Sequence, residues 1–198
     1  MKSIIKFLSL ILVILTHSKV YSQAPTLAEI EQRTLEKARE LGDLLKIIGD
    51  KNNDRHIRQN AKDMAMDLFE SDTNKIEVIS KVSKKRETMD IRKYLNRLEG
   101  LKQYEDVQIE WKYIQVIEDV KQKEDGSYYG RLRVYQIFEG LVKDGKPMYK
   151  DITEKDIEVK LKDQQVETGQ GPGKAYFDLK FGDITVFRLL DDSDRKKP

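Results

Sequence analysis

The apolar pattern of this chain changes period near residue 100, and that change limits the folds open to it. Before it, Ile30, Thr34, Ala38, Leu41, Leu45 and Ile48 recur three and four residues apart, which is one face of an α-helix. Thr26-Leu27-Ala28-Glu29 reads as a capping box at the start, and Gly49 as the stop. A polar turn, Asp50 to Asp54, leads to a second stripe of Ile57, Ala61, Met64, Ala65 and Leu68 that ends near Phe69. Ile76 to Val82 is rich in β-branched residues and predicts a short strand. Thr88 is placed to cap a third helix with the face Ile91, Tyr94, Leu95 and Leu98, ended by Gly100.

After residue 100 the spacing becomes two. Val107, Ile109, Trp111 and Tyr113 alternate as in a half-buried strand. Ile114, Val116 and Ile117 break the phase, which predicts a bulge or twist near Tyr113. Glu124 to Ser127 forms a hairpin turn, and Tyr128 to Phe138 returns. Leu132, Val134, Gln136 and Phe138 share one face of that return strand; Tyr129, Arg131, Arg133, Tyr135 and Ile137 share the other. Lys143 to Pro147 is a second turn, and Ile157, Val159 and Leu161 mark a further strand. A Gly-rich loop from Thr168 to Lys174 precedes the last strand, Tyr176 to Leu189, where Gly182-Asp183 could bend or divide it. Helices early and strands late define an α+β fold: N-terminal helices packed on a curved antiparallel β-sheet.

The first 22 residues carry an address. Lys2 and Lys6 supply a positive start, Ile4 to Leu15 is an apolar run interrupted only by Lys6 and Ser9, and Val20-Tyr21-Ser22 is a small-residue cleavage signal. This is the pattern of a secretory signal peptide cut after Ser22, which predicts a periplasmic or secreted protein. The uninterrupted apolar stretch is about half the ~20 residues that spanning needs, so no transmembrane segment is expected after cleavage. The expected organisation is a signal peptide over 1–22, a helix over 23–53, a roll over 54–190 and a polar tail over 191–198.

Composition narrows the partners. The formal charge of the 198 residues is +2, from 37 basic and 35 acidic residues. Loss of Lys2, Lys6 and Lys19 leaves 34 against 35, a balance of −1. Such a chain has no overall pull toward nucleic acid or anionic lipid. There are no cysteines, which excludes a disulfide framework, a thiol nucleophile and thiolate metal sites; a chain this long buries enough core without them. Export without cysteine points to a bacterial envelope.

The stripe Ile57 to Leu68 running into Phe69, the strand Ile76 to Val82, and Ile91-Arg92-Lys93-Tyr94-Leu95 before the strand Val107 to Val116 carry a resemblance. This order is similar to the nuclear transport factor two-like group, the cystatin-like roll that includes ketosteroid isomerases and many small exported bacterial domains. It would span residues 54 to 189. The resemblance implies a possible cavity in a sheet cone, with an Asp or His on the inner face and a Tyr opposite. Asp90, Tyr94, Tyr113, Tyr128 and Tyr135 are the pieces for such a site.

No motif specifies chemistry. His56, the single histidine after residue 22, lies between Arg55 and Ile57 at a helix start and is expected to face water. Asp50-Lys51-Asn52-Asn53-Asp54 imitates half a calcium loop, but the sixth position is Arg55 and the twelfth Ala61, where a Gly and a bidentate Glu are needed. Gly169 to Lys174 lacks the first Gly and the final Ser or Thr of a phosphate loop. The basic run Lys81, Lys84, Lys85 and Arg86, with Arg92, Lys93 and Arg97, reads as a solvated, charge-balanced face. No catalytic residue, metal ligand or cofactor is assigned. The candidate contact residues are Trp111, Tyr113, Tyr129, Arg131, Arg133 and Tyr135, with Trp111 in phase with the core. The reading is a non-enzymatic binding or assembly module of the bacterial envelope, with an envelope protein, a small ligand or a second copy of the chain as partner. The alternative is a small-molecule-binding or isomerase-like roll, which an inward carboxylate with a Tyr in a deep apolar pocket would favour.

Overall fold

In a computed structural model, residues 26–124, 127–165 and 175–190 are described. The order is α1 (Leu27–Gly49), α2 (Arg55–Asp67), β1 (Lys75–Ile79), β2 (Arg86–Asp90), α3 (Ile91–Glu99), β3 (Asp106–Gln122), β4 (Tyr128–Leu141), β5 (Pro147–Gln165) and β6 (Ala175–Leu190). The strands form one six-stranded sheet in the order β2-β1-β6-β5-β4-β3. Helices on a mixed sheet make this an α+β protein. The chain divides into two units: residues 1–24 with 164–176, of which only the strand ends are described, and residues 25–163 with 177–198. The signal-peptide call, half of the 124–127 turn, the Gly-rich loop and the polar tail fall outside the described residues.

Thr26 caps α1 as expected: its hydroxyl accepts from the Glu29 N–H, and the Glu29 carboxylate accepts from the Thr26 N–H at 2.8 Å. These bonds hold the Glu29 carboxyl below its ordinary pKa. All six residues of the predicted α1 stripe are buried. The helix ends on Gly49 for a reason other than a left-handed cap. A Cβ there would lie 2.8 Å from the carbonyl oxygen of Val107, so glycine lets the last turn touch β3. Just beyond, Lys51 donates from its backbone to Asp106 at 3.0 Å and from Nζ to the Leu101 carbonyl at 2.6 Å.

The second stripe is narrower than its spacing predicts. Ala61, Ala65 and Leu68 are buried, but Ile57 and Met64 are half exposed. α2 packs on α1 and α3, and a helix–helix seam covers a smaller arc than a sheet does. Asp50 to Asp54 is a helix–helix turn, with Asp54 accepting from the His56 N–H at 2.8 Å; His56 is exposed.

Two elements differ from expectation around residue 80. The strand predicted to Val82 ends at Ile79, and Val82 is exposed. Residues 86–90 form β2, antiparallel to β1, so Thr88 sits in a strand and Asp90 is the N-cap residue of α3. The α3 face is as predicted, with Ile91, Tyr94, Leu95 and Leu98 all buried. Antiparallel pairing holds for β1–β2, β3–β4 and β4–β5; the exception is β1, which meets β6 in parallel at Ile76 and Ile184. Near Tyr113 the register slips between Lys112 and Gln115, and Tyr113 has φ of 50°. That is the anticipated bulge. Beyond it Ile114 and Val116 lean on the core while Ile117 is exposed. β6 runs through Gly182-Asp183 unbroken.

Candidate functional site

Inward-facing residues of β5 follow a strict period of two: Tyr149, Asp151, Thr153, Lys155, then Ile157, Val159 and Leu161. The last three join the hydrophobic core. The first four line a cavity of about 390 Å³, together with α3, the ends of β1 and β2, residues 101–104 and β4. A cavity of this size suits a small organic ligand, for which ~300–1,000 Å³ is usual.

One wall is aromatic. Tyr104 and Phe138 meet edge to face at 6.1 Å, Phe138 and Tyr149 at 5.9 Å. Gly140 makes this possible, because a Cβ there would fall 2.4 Å from the Tyr104 ring. Met89, Tyr94, Leu98 and Leu101 add apolar surface.

The floor is polar and buried. Asp151, Thr153 and Lys155 are 8%, 2% and 1% exposed. Burial pushes the Asp151 carboxyl up, opposed by a hydrogen bond from Tyr149 and by the charges of Lys155 and Lys81. Burial pushes the Lys155 ammonium down to about 8, opposed by Asp151 and Glu77. Burial and the Asp151 charge push the Tyr149 phenol up to about 12, and raise that of Tyr94. The Tyr149 hydroxyl accepts from the Lys81 N–H at 2.8 Å, which pins the 80–85 turn over the strand. Lys155 Nζ donates to the Glu77 carbonyl at 2.8 Å. Thr153 Oγ1 is buried with no hydrogen-bond partner. This floor can hydrogen-bond a polar group and hold a proton at Asp151, Tyr149 or Lys155.

Of the pieces that the resemblance suggested, Tyr94 alone lines this cavity. Asp90 pairs with Lys75 outside it. Tyr113 is exposed, its ring against Tyr135 at 5.4 Å. Tyr128 packs on the core.

The six predicted contact residues do not share one surface. Trp111 faces inward; its indole N–H donates to Gln136 at 3.2 Å and its side chain packs against Gly42 of α1. Tyr113, Tyr129, Arg131, Arg133 and Tyr135 lie on the opposite face of the sheet. There Arg133 grips Asp156 with bonds of 2.6 and 2.8 Å, and Arg188 grips Glu154 with bonds of 2.5 and 2.8 Å. Burial would raise the Glu154 carboxyl, but bonds from Arg188 and Tyr135 outweigh it and hold it low. The Arg133 guanidinium also stacks over Phe187 at 3.5 Å. Both arginines are thereby occupied, and Arg131 pairs with Glu118 at 3.2 Å. The basic run is charge-balanced in part: Arg86 pairs with Glu77, Arg92 with Asp72 and Arg97 with Glu87.

Tyr149, Asp151, Thr153 and Lys155 were not singled out from the sequence. Counting back by twos from Ile157 to the turn at Pro147 would have found them.

No family model matches the chain, and no curated protein matches it. Among solved structures, a periplasmic fragment of TraM aligns over 79% of this chain and 98% of its own at 11% identity and a TM-score of 0.46. A scytalone dehydratase-like protein from Novosphingobium aromaticivorans aligns over 83% and 87% at 12% identity and a TM-score of 0.44. Neither likeness assigns an activity, ligand or location. The class defined by fold and site together is an α+β protein with a cavity between the inner sheet face and α3.

Proposed function

We propose that this protein is a small-molecule-binding roll of the nuclear transport factor two-like kind, whose ligand sits between α3 and the 149–155 row of β5. The carrying observation is the ~390 Å³ cavity that combines an aromatic wall with an inward Asp151 and its Tyr149 partner. A filled interior would have argued for assembly alone. Binding is tested with neutral phenylbutyramide, followed by NMR at the Met89 methyl. Saturable shifts at Met89 are expected, and Leu101→Trp, which adds bulk to the cavity lining, should abolish them. Shifts that persist unchanged in Leu101→Trp would place the probe elsewhere.

Export belongs to the same reading: cleavage after Ser22, a mature chain beginning at Gln23 and a periplasmic or secreted location. No helix among the described residues is long and apolar enough to cross a membrane. Intact mass of protein recovered from the cell envelope should match residues 23–198; a full-length mass would remove the signal peptide.

A second reading, pairing of two copies through the outer sheet face, draws on exposed Tyr113 and Phe187 beside the arginine–carboxylate lattice. Light scattering that finds only monomer at high concentration would count against it.

A further inference from the structure

We infer, building on the small-molecule reading, that the cavity takes an apolar monocarboxylate whose head is held by Lys155 Nζ and the Thr153 hydroxyl. Lys155 is the observation to explain. It is a fully buried cation, and among the described residues no carboxylate forms an ion pair with it. The Glu77 carboxylate is committed elsewhere, accepting from Arg86 at 3.0 Å and from the Val186 N–H at 2.8 Å. Asp151, four residues back on the same row, acts on Lys155 through its charge but makes no ion pair or hydrogen bond with it. Lys155 therefore has one carbonyl acceptor, Glu77, and donors to spare. A buried charge left this way is costly unless something pairs with it.

Thr153 stands between Lys155 and Asp151 with its hydroxyl unsatisfied. A carboxylate above Thr153 would accept from both side chains and make the short charge-assisted bonds that buried ammonium groups favour. The aromatic wall of Tyr104, Phe138 and Tyr149 would cover the apolar body. Asp151 at the far end disfavours a second negative charge there, which selects a monoanion.

The ionisable groups around the site agree. Glu77 on β1 presents its carbonyl, and Glu87 on β2 is held by Arg97 of α3 at 2.7 Å. β4 contributes uncharged Gln136, and Lys85 stands at the rim. Lys81 acts on Asp151. Burial lowers the Lys155 ammonium to about 8. It is therefore mostly cationic below that pH and loses its charge as pH rises through it, so the preference for an anion fades in the same direction.

The test is calorimetry of the mature chain with phenylbutyrate and its isosteric amide. At about pH 6.5 the acid should bind roughly ten-fold tighter or more, since a charge-assisted bond is worth ~1.5–3 kcal/mol. The preference should approach parity by about pH 9.5, where Lys155 is neutral. Lys155→Met should remove the preference at every pH. Thr153→Val should weaken the acid about ten-fold and leave the amide nearly unchanged. If Lys155→Met fails to fold, the wild-type pH series and Thr153→Val still decide. Equal affinity for acid and amide at about pH 6.5 overturns the carboxylate head and leaves the cavity reading standing. A preference that ignores pH, or survives Lys155→Met, overturns the role of Lys155. Absence of binding by either probe overturns both readings.

Discussion

A chain beginning at Asp50, without α1, will not unfold cooperatively. Ile30, Leu41, Leu44, Leu45 and Ile48 are all buried residues of α1. At ~1.5–3 kcal/mol per large side chain this is about 8–15 kcal/mol, an upper bound that matches the entire net stability of a typical domain. Removal would also uncover Val107 and Trp111, which α1 covers at Gly49 and Gly42. Trp111 is the single tryptophan, so its emission reports the docking directly. The shortened chain should show red-shifted emission and no sigmoidal urea transition. Leu41→Asp, which keeps the chain length, should shift the urea midpoint sharply downward. A shortened chain with native emission and a cooperative transition would mean that α1 is an attachment to a self-sufficient core, free to pack on a partner.

Phe181→Ala should cost about 3–5 kcal/mol, the range for a fully buried aromatic truncated in place. Phe181 is completely buried on β6 and meets Phe69 edge to face at 6.1 Å. Its backbone is held as well: its N–H donates to the Leu68 carbonyl at 2.8 Å, and its carbonyl accepts from Glu70 at 2.9 Å. Those bonds tie the end of α2 to the last strand, more than 100 residues later in the chain. Phe181→Leu retains most of the volume and should lose much less. Urea unfolding followed at Trp111 measures both. A loss below ~1 kcal/mol for Phe181→Ala would show that this closure carries little of the stability.

The helices were legible because their signals are local. The α1 stripe, the Thr26–Glu29 box and the α3 face depend on residues three and four apart, and all were found as expected. The Tyr113 bulge was legible too, since a break in alternation shows within one strand. β2 was not. Of Arg86, Glu87, Thr88, Met89 and Asp90 only Met89 is buried, so this sheet-edge strand has no apolar alternation to read. The parallel contact of β1 with β6 was also hidden, because it joins Ile76 to Ile184 and no local pattern encodes that distance.

The candidate site divides in the same way. Alternation assigned Arg131, Arg133 and Tyr135 to one sheet face, but only the tertiary structure set Glu118 against Arg131, Asp156 against Arg133, and the Glu154–Arg188 pair beside Tyr135. Asp151, Thr153 and Lys155 look like solvated strand residues in the sequence. They are buried because α3 and the 80–85 turn close over them without filling the space beneath. The residues alone determined which segments coil, which extend and which faces are apolar, since sterics and hydrophobic period act over a few positions. Where a polar row ends up, in water or in a cavity, depends on what the rest of the chain lays across it, and that was decided only when distant segments packed together.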